Sequence, residues 1–399
     1  MKSAHSYKNE IDVDDDQIDQ SPKPISWWWR KAPEFDPENG HLKADHDLFT
    51  DLTKLTPRLR LLREMERLAL VAPEGLDDLR HKLMAYRSGE FWLPVGGMKK
   101  EDMDIPPVIT VLLVGLRGAG KSALVNMMYS VLGHSGLIPF AQTSSGSSEY
   151  TTVFLEEHNV VRSIRAGFCV FDSRGLSPKQ MEEGLEDVWG WMSPTPGVRQ
   201  NQPCWRPSDH HQPLKHQKPT NVITHGHDTL TSSRYAKRKV NVAMVVANLA
   251  EIHRAFESGD LNSVDAIKEL FQFPCLQKSN ENPILILTHG DMLGTEERIK
   301  SRLQICEYIG INETSGAYDI ACLTEQGILP DESDPVTAFA LTEAVYRSLM
   351  VADRSHSPKK RFLDWIIHFL SLIMSCIASF FHLLAHFFSK FDHKTKLKR

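Results

Sequence analysis

The feature that most constrains this chain is a glycine-rich octet directly after an apolar run. Val108–Val114 is the run, and the octet is Gly115, Leu116, Arg117, Gly118, Ala119, Gly120, Lys121 and Ser122. Glycines at these positions let backbone N–H groups curl around phosphate oxygens at the start of a helix. Every octet residue except Leu116 is a candidate nucleotide contact. Lys121 is expected to reach the terminal phosphates, and the Ser122 hydroxyl is expected to ligate Mg²⁺.

A second element follows another apolar run, Phe168–Phe171. It reads Asp172, Ser173, Arg174 and Gly175. A carboxylate at the end of a strand is a typical ligand of Mg²⁺, directly or through water. Gly175, three residues later, offers a backbone N–H to a terminal phosphate. This DxxG pattern lies about fifty residues after Lys121. That spacing favours Asp172 as a second residue that holds Mg²⁺, besides Ser122.

A third element, Thr288-His289-Gly290-Asp291, ends the run Pro283–Leu287. A carboxylate can accept two hydrogen bonds from the N1–H and N2–H₂ groups of guanine, and adenine lacks this donor pair. Asp291 is therefore predicted to select guanine, with Thr288 beside it and the side chain of His289 placed to stack on the base. Taken alone, a TxxD pattern is also typical of a surface turn.

Strand and helix patterns alternate from Ile109 onward, which predicts an α/β fold. Further strands are predicted at Val240–Val246 and near Ala317–Cys322. Helices are predicted at Ser122–Val131, Val246–Phe256, Thr295–Tyr308 and Pro335–Leu349. Such alternation indicates a mostly parallel sheet with helices on both faces.

With these three elements in order, residues Pro106 to Val351 resemble the translation-factor-like (TRAFAC-type) class of P-loop GTPases. The elements correspond to its G1, G3 and G4 motifs. The resemblance implies a G-domain-like fold, bound GTP or GDP with Mg²⁺, and switching between two states. It also implies a G2 threonine, for which Thr143, Thr151 and Thr152 are candidates and the last two are favoured, and a G5 element near Ala321-Cys322-Leu323.

Several residues depart from that class. His289 replaces the usual lysine of the G4 motif, Ser173 and Arg174 follow the G3 aspartate, and Arg117 is bulky for a position near the γ-phosphate. Leu176 stands where a glutamine would orient water. We therefore expect nucleotide binding, with slow GTP hydrolysis at most. A group that orients water would come from elsewhere, such as a second copy in a homo-oligomer or another partner.

An insertion, residues 192–239, separates the second element from the next strand, and it is predicted to be a loop. It is rich in proline and histidine and contains Cys204, but the spacing matches no common zinc site. A polar lid is the favoured interpretation over a metal site. Arg206, Arg234 and Arg238 are candidates for an arginine finger.

The N-terminal hundred residues are predicted to have two parts. Residues 1–45 are acidic and predicted to be disordered, apart from Trp27-Trp28-Trp29, for which docking on the protein or a membrane surface is expected. Residues 46–98 are predicted to form two amphipathic helices. Thr56-Pro57 reads as an N-cap with proline in the first turn, and Pro73 and Gly75 precede the second helix. These helices are expected to pack on the next domain, or alternatively to bind a partner.

The C-terminal region predicts a membrane anchor at residues 362–389. Trp365–Phe388 is almost wholly apolar, and about 24 helical residues span about 36 Å, against a bilayer core of about 30 Å. Serines and histidines form one narrow stripe, as in helices that pair within lipid. A single-pass anchor is predicted, with an in-plane or a buried soluble helix as alternatives. The basic tail 390–399 is compatible with the endoplasmic reticulum or an organelle outer membrane, with the nucleotide domain in the cytosol.

Composition narrows the functional classes. The chain carries 46 Lys and Arg against 51 Asp and Glu, a net charge of −5, which argues against a nucleic-acid binder. Its six scattered cysteines indicate a reducing compartment. The favoured function is a membrane-anchored GTP-binding switch, for which the motifs predict slow GTP hydrolysis. The alternatives are a non-hydrolysing nucleotide-binding scaffold and an ATP-binding P-loop NTPase.

Overall fold

The computed structural model describes residues 27–36, 42–43, 55–94, 96–133, 139–143, 152–161, 167–194, 197–204, 237–278, 281–322, 334–359 and 369–383. The chain divides into two compact units, Met1–Leu55 and Thr56–Arg399. In the first, Trp28–Lys31 form a turn of 3-10 helix, and the rings of Trp27 and Trp29 stack with centroids 5.3 Å apart. Leu48, Leu52 and most of the acidic N-terminus lie outside the described residues.

The second unit is built on a seven-stranded sheet. Its strands are β1 (Ile109–Gly115), β2 (Phe154–His158), β3 (Phe168–Asp172), β4 (Gln202–Pro203), β5 (Val242–Asn248), β6 (Ile284–Thr288) and β7 (Ala317–Asp319). The strand order is β4-β2-β3-β1-β5-β6-β7. Strands β3, β1, β5, β6 and β7 are parallel, whereas β2 and β4 pair antiparallel at one edge. The prediction of a mostly parallel α/β sheet is confirmed.

Helices cover both faces of this sheet. They are α1 (Pro57–Ala85), α2 (Lys121–Gly133), α3 (Met181–Met192), α4 (Leu249–Ser258), α5 (Asn262–Phe271), α6 (Thr295–Ile309) and α7 (Pro335–Arg354). Alternate residues of β1, Leu112 and Val114, enter a core shared with helices α3 to α6. Helices α2 and α7 contact β1 on the other face. The predicted helix start at Val246 is wrong, because β5 continues to Asn248, whose side chain then caps α4 by accepting from the Glu251 N–H at 3.1 Å.

Helix α1 is one continuous helix, so the predicted break at Pro73 and Gly75 is wrong. Thr56 caps its start as predicted, with its hydroxyl accepting from the Leu59 N–H at 3.3 Å. An internal proline costs about 3 kcal/mol. Here a continuous buried stripe runs past it, formed by Leu61, Leu68, Ala72, Leu76 and Leu83. Burying one such leucine contributes about 2 kcal/mol, so packing outweighs the local preference, and α1 lies along α7.

Strand pairing at the two ends of the insertion corrects the prediction of a loop throughout 192–239. The strand β4 pairs with β2, and Val198 forms an antiparallel bridge with Arg238. The pairing extends the sheet by one edge strand because β2 leaves its outer backbone groups available there. Residues 205–236, with Arg206, Arg234 and the histidines of the insertion, lie outside the described residues.

After α7 the chain returns to the segment that leads into β1. The Asp104 N–H donates to the Ser357 carbonyl, and the Lys359 N–H donates to the Asp102 carbonyl, each at 2.8 Å. Met103 and Pro358 form the antiparallel bridge between these two bonds. This pairing fixes residues 357–359 near the amino-terminal end of β1.

Beyond that point, residues 369–383 are helical. Their apolar side chains, including Phe369, Leu372, Met374 and Phe381, are more than half exposed. Within the described ranges, no helix is both long and apolar enough to cross a membrane. The other residues of the predicted 362–389 helix, and the basic tail, fall outside those ranges.

Asp353 at the end of α7 joins α1 to the rest of the unit. Its carboxylate is buried and accepts from the Tyr86 hydroxyl at 2.9 Å, the Gly89 N–H at 2.8 Å and the Phe91 N–H at 3.0 Å. We predict that Asp353→Ala lowers the free energy of unfolding by about 3 kcal/mol, because two buried donors and one half-buried donor lose their acceptor. Urea unfolding measures this. The exposed Asp78→Ala is the control, with an expected change within about 0.5 kcal/mol, and equal effects of the two variants would contradict the prediction.

Candidate functional site

The predicted elements meet at one edge of the sheet. Leu113 of β1 pairs with Asp172 of β3, and Asn248 of β5 pairs with Thr288 of β6. Parallel strands place their carboxyl ends together, and ligands of open α/β sheets bind at that edge. The octet, Asp172–Gly175, Thr288–Asp291 and the residues after β7 are thereby brought together.

The octet forms a tight loop that requires glycine. Gly118 and Gly120 have φ angles of +75° and +82°, which side-chain-bearing residues rarely adopt. A Cβ at Gly115 would lie 2.1 Å from the Val246 carbonyl oxygen. Helix α2 begins at Lys121 directly after the loop. The loop therefore ends at a helix N-terminus, which attracts anions.

Lys121 is buried inside this loop. Its Nζ donates to the carbonyls of Gly115 at 3.2 Å and Leu116 at 3.1 Å. Desolvation lowers the pKa of Lys121 to about 8, and the carboxylate of Asp172 opposes this shift. The Lys121 ammonium bridges two carbonyls inside the loop. An anion bound to the loop could therefore form a charge-assisted hydrogen bond with Lys121.

Ser122, Asp172 and Thr152 form a polar cluster beside the loop. The Ser122 Oγ donates to the Asp172 Oδ2 at 2.5 Å and lies 3.3 Å from the Thr152 Oγ1. Burial raises the pKa of Asp172. Its other oxygen, Oδ1, is buried and has no hydrogen-bond partner within the described residues. Thr143 is exposed, and Thr151 lies outside the described residues, so Thr152 is the candidate threonine that the structure brings to this cluster.

The segment after Asp172 lies directly on the octet, a contact that the sequence analysis missed. The Leu176 N–H donates to the Gly115 carbonyl at 3.0 Å, and the Arg117 N–H donates to the Leu176 carbonyl at 2.9 Å. A Cβ at Gly175 would lie 2.5 Å from the Arg117 Cα, which explains the glycine. The Leu176 side chain is buried in the core instead of facing the site. No pattern in a single sequence reports such backbone pairing.

Thr288 ties β6 to the octet. Its hydroxyl donates to the Ala119 carbonyl at 2.8 Å and lies 2.8 Å from the His289 Nδ1. His289 has a φ of +57°, and its Cε1 lies 3.2 Å from the position of a Cβ on Gly120. The imidazole therefore lies against the octet. Asp291 is exposed at the same edge.

Two further groups flank Asp291. Desolvation, followed by the charge of Asp291, raises the pKa of the Cys322 thiol, in the predicted G5 element, to about 12. Leu323 lies outside the described residues. Beneath Gly290, Arg298 and Asp319 form a buried ion pair at 2.7 Å. The sequence analysis did not find this pair, because an arginine in a helix and an aspartate in a weak strand carry no local signal.

Arg238 does not face this site. Its guanidinium bonds to the Glu157 Oε1 at 2.7 and 2.8 Å, and the side chain lies near Cys169. Cys169 pairs with Thr110 near the opposite edge of the sheet. Arg174, by contrast, lies near Asp172 and donates to the Cys204 carbonyl at 3.1 Å, next to the start of the insertion.

No protein-family model and no curated protein matches the chain. Among solved structures, it is similar to a dimerization-deficient mutant of Toc33 from Arabidopsis thaliana, with 17% identity, 68% of this chain and 93% of that chain covered, and a TM-score of 0.31. It is also similar to the signal recognition particle receptor SRb-GTP/SRX complex from Chaetomium thermophilum, with 15% identity, 57% and 89% covered, and a TM-score of 0.24. Because both TM-scores are low, the assignment of a P-loop fold rests on the strand order and the octet and not on these similarities.

The Thr288 hydroxyl gives a direct test of this site. We predict that Thr288→Val lowers the free energy of unfolding by about 1–3 kcal/mol, because the Ala119 carbonyl loses its donor in a buried position. Thr288→Ser keeps the hydroxyl and is the matched control. Thermal unfolding compares the two variants, and equal stabilities would show that the bond to Ala119 contributes nothing.

Proposed function

We propose that this protein is a membrane-anchored guanine-nucleotide-binding switch that binds GTP or GDP with Mg²⁺ and hydrolyses GTP slowly. The observation that carries the proposal is the buried, unpartnered Asp172 Oδ1 beside the Ser122 hydroxyl and the octet. A buried carboxylate oxygen without a partner is costly. A cation at this position, next to a phosphate-binding loop, would remove that cost.

The phosphates are assigned to the octet. Backbone N–H groups from Gly118 to Ser122, together with the Lys121 ammonium, would face the β- and γ-phosphate oxygens. Lys121 already lies inside the loop, at hydrogen-bond distance from two loop carbonyls. The glycine φ angles of +75° and +82° are the strongest support, because they permit the close approach of a ligand to the backbone.

The residues present fit Mg²⁺. Ser122 would ligate it directly, Asp172 directly or through water, and a threonine of residues 151–152 would complete the set, with Thr152 in contact with Ser122. All three offer hard oxygen ligands, as Mg²⁺ prefers. When bound, the ion would neutralise charge between the two terminal phosphates.

Guanine recognition is assigned to Asp291. Asp291 is exposed at the edge where Thr288 and His289 contact the octet. Asp291 would accept two hydrogen bonds from guanine. Adenine lacks these two donors, so its binding would leave polar groups of the site without hydrogen-bond partners. If Asp291 were incidental, ATP would bind as well as GTP.

Slow hydrolysis is proposed because no water-orienting side chain follows Gly175. Leu176 is 3% exposed and is buried in the core. Beside Leu116, Arg117 and Leu176, a groove of about 780 Å³ opens towards α4. A partner or a second copy of this chain, bound at this groove, would supply the group that orients water. A protein without turnover would instead be a nucleotide-stabilised scaffold.

The nucleotide proposal predicts three measurable results. The full chain in mild detergent should bind GDP and GTP in preference to ATP, Lys121→Ala should abolish binding, and Asp291→Asn should weaken guanine binding about 100-fold through two lost bonds to a charged acceptor. Competition binding measures all three, with the exposed Asp78→Asn as control. Equal affinity for ATP would refute guanine selection, and absent turnover with bound GTP would favour the scaffold.

The membrane proposal rests on the exposed apolar surface of residues 369–383. We propose that they belong to a C-terminal anchor, in the endoplasmic reticulum or an organelle outer membrane, with the nucleotide site in the cytosol. Ile373→Asp with Ile377→Asp should release the protein from membranes at alkaline pH, because each aspartate stays charged there and costs about 3 kcal/mol within a bilayer. Leu70→Asp, at an exposed position of α1, is the matched control. Complete extraction of the wild type would contradict the anchor.

A further inference from the structure

Beneath the proposed guanine-binding loop lies an ion pair that reaches no ligand itself. The Arg298 Nε donates to the Asp319 Oδ2 at 2.7 Å, and the Arg298 Nη2 donates to the Oδ1 at 2.8 Å. The side chains are 6% and 0% exposed. This two-bond geometry fixes the plane of the guanidinium relative to β7.

Gly290 lies directly against the Arg298–Asp319 ion pair. A Cβ at Gly290 would lie 2.5 Å from the Arg298 Nε and 2.8 Å from the Asp319 Oδ1. The Gly290 backbone therefore rests on the ion pair itself, and no larger residue fits without displacing it. Because Asp291 is the next residue, the ion pair also fixes the backbone position from which the Asp291 carboxylate extends.

The loop is held at its other end by the same helix. The Gly294 N–H donates to the Glu297 Oε2 at 2.9 Å, and the Arg298 N–H donates to the Gly294 carbonyl at 2.9 Å. Only Asp291, Met292 and Leu293 lie between these two supports. A short segment with two fixed ends has little freedom to relocate its first side chain.

We propose that Arg298 and Asp319 are positioning residues that set the base selectivity of Asp291 by clamping Gly290. The inference rests on the proposed guanine binding and extends it to residues that do not touch the nucleotide. A buried ion pair is weak support for stability, because its desolvation offsets its attraction. The ion pair would contribute separately by placing the Asp291 carboxylate accurately, since a bidentate contact tolerates displacements of only about 0.5 Å.

Guanosine and inosine diphosphates separate placement from general stability. Hypoxanthine lacks the 2-amino group of guanine, so the ratio of the two affinities reports the second hydrogen bond to Asp291. Displacement of the carboxylate loses that bond and reduces the ratio. A purely structural defect lowers both affinities by the same factor.

The test uses the full chain in mild detergent with Mg²⁺, and competition binding of GDP and IDP. Arg298→Lys should reduce the GDP-to-IDP affinity ratio about five- to tenfold, the value of one lost hydrogen bond, with little change for IDP. Gly290→Ala should reduce it similarly. The matched control is Arg302→Lys, because Arg302 is also buried in α6 and donates to the Glu313 and Ala317 carbonyls, each at 2.9 Å, away from Gly290.

An unchanged ratio in both Arg298→Lys and Gly290→Ala would overturn the inference while leaving guanine binding intact. An equal loss of ratio in Arg302→Lys would also overturn it, since the effect would then be general. A wild type without preference for GDP over IDP would instead refute the role of Asp291. Where Arg298→Lys does not fold, Arg298→Met with Asp319→Leu replaces the pair by apolar groups, and a retained ratio in that protein counts against the inference.

Discussion

The parallel pairing of β1 with β3 and β5 is the constraint on which the site depends. It brings Gly115, Asp172 and Asn248 to one edge, although they are far apart in the chain. The pairing is tight enough that the Val246 carbonyl would lie 2.1 Å from a Cβ at Gly115. The strand pairing therefore requires glycine at position 115, since a side chain there would separate the strands that assemble the site.

Lys121 and Asp172, two groups of opposite charge type, are buried at this edge. Desolvation lowers the pKa of Lys121 and raises that of Asp172, while each charge opposes the shift of the other. Their mutual attraction only partly offsets the cost of burial. A phosphate anion beside Lys121 and a metal cation beside Asp172 would satisfy both groups at once.

Local patterns predicted most of this architecture, and tertiary contacts decided the rest. Strands such as β1 and β6 were placed within two residues because buried parallel strands are short apolar runs. The break at Pro73 was wrong because packing along α7 exceeds the cost of one proline. Thr152 could not be chosen from three threonines, since its contact with Ser122 spans thirty residues. The Arg298–Asp319 pair has no local signature at all.

The return of the chain after α7 has a mechanical consequence. Residues 357–359 pair with Asp102–Asp104, which precede the start of β1 by four residues. The six residue steps from Ile109 to Gly115 in β1 span a further distance of about 20 Å. Tension applied from the C-terminal side would thus enter the domain at the bridge between Met103 and Pro358, on the amino-terminal side of β1, and the octet follows β1 at its other end.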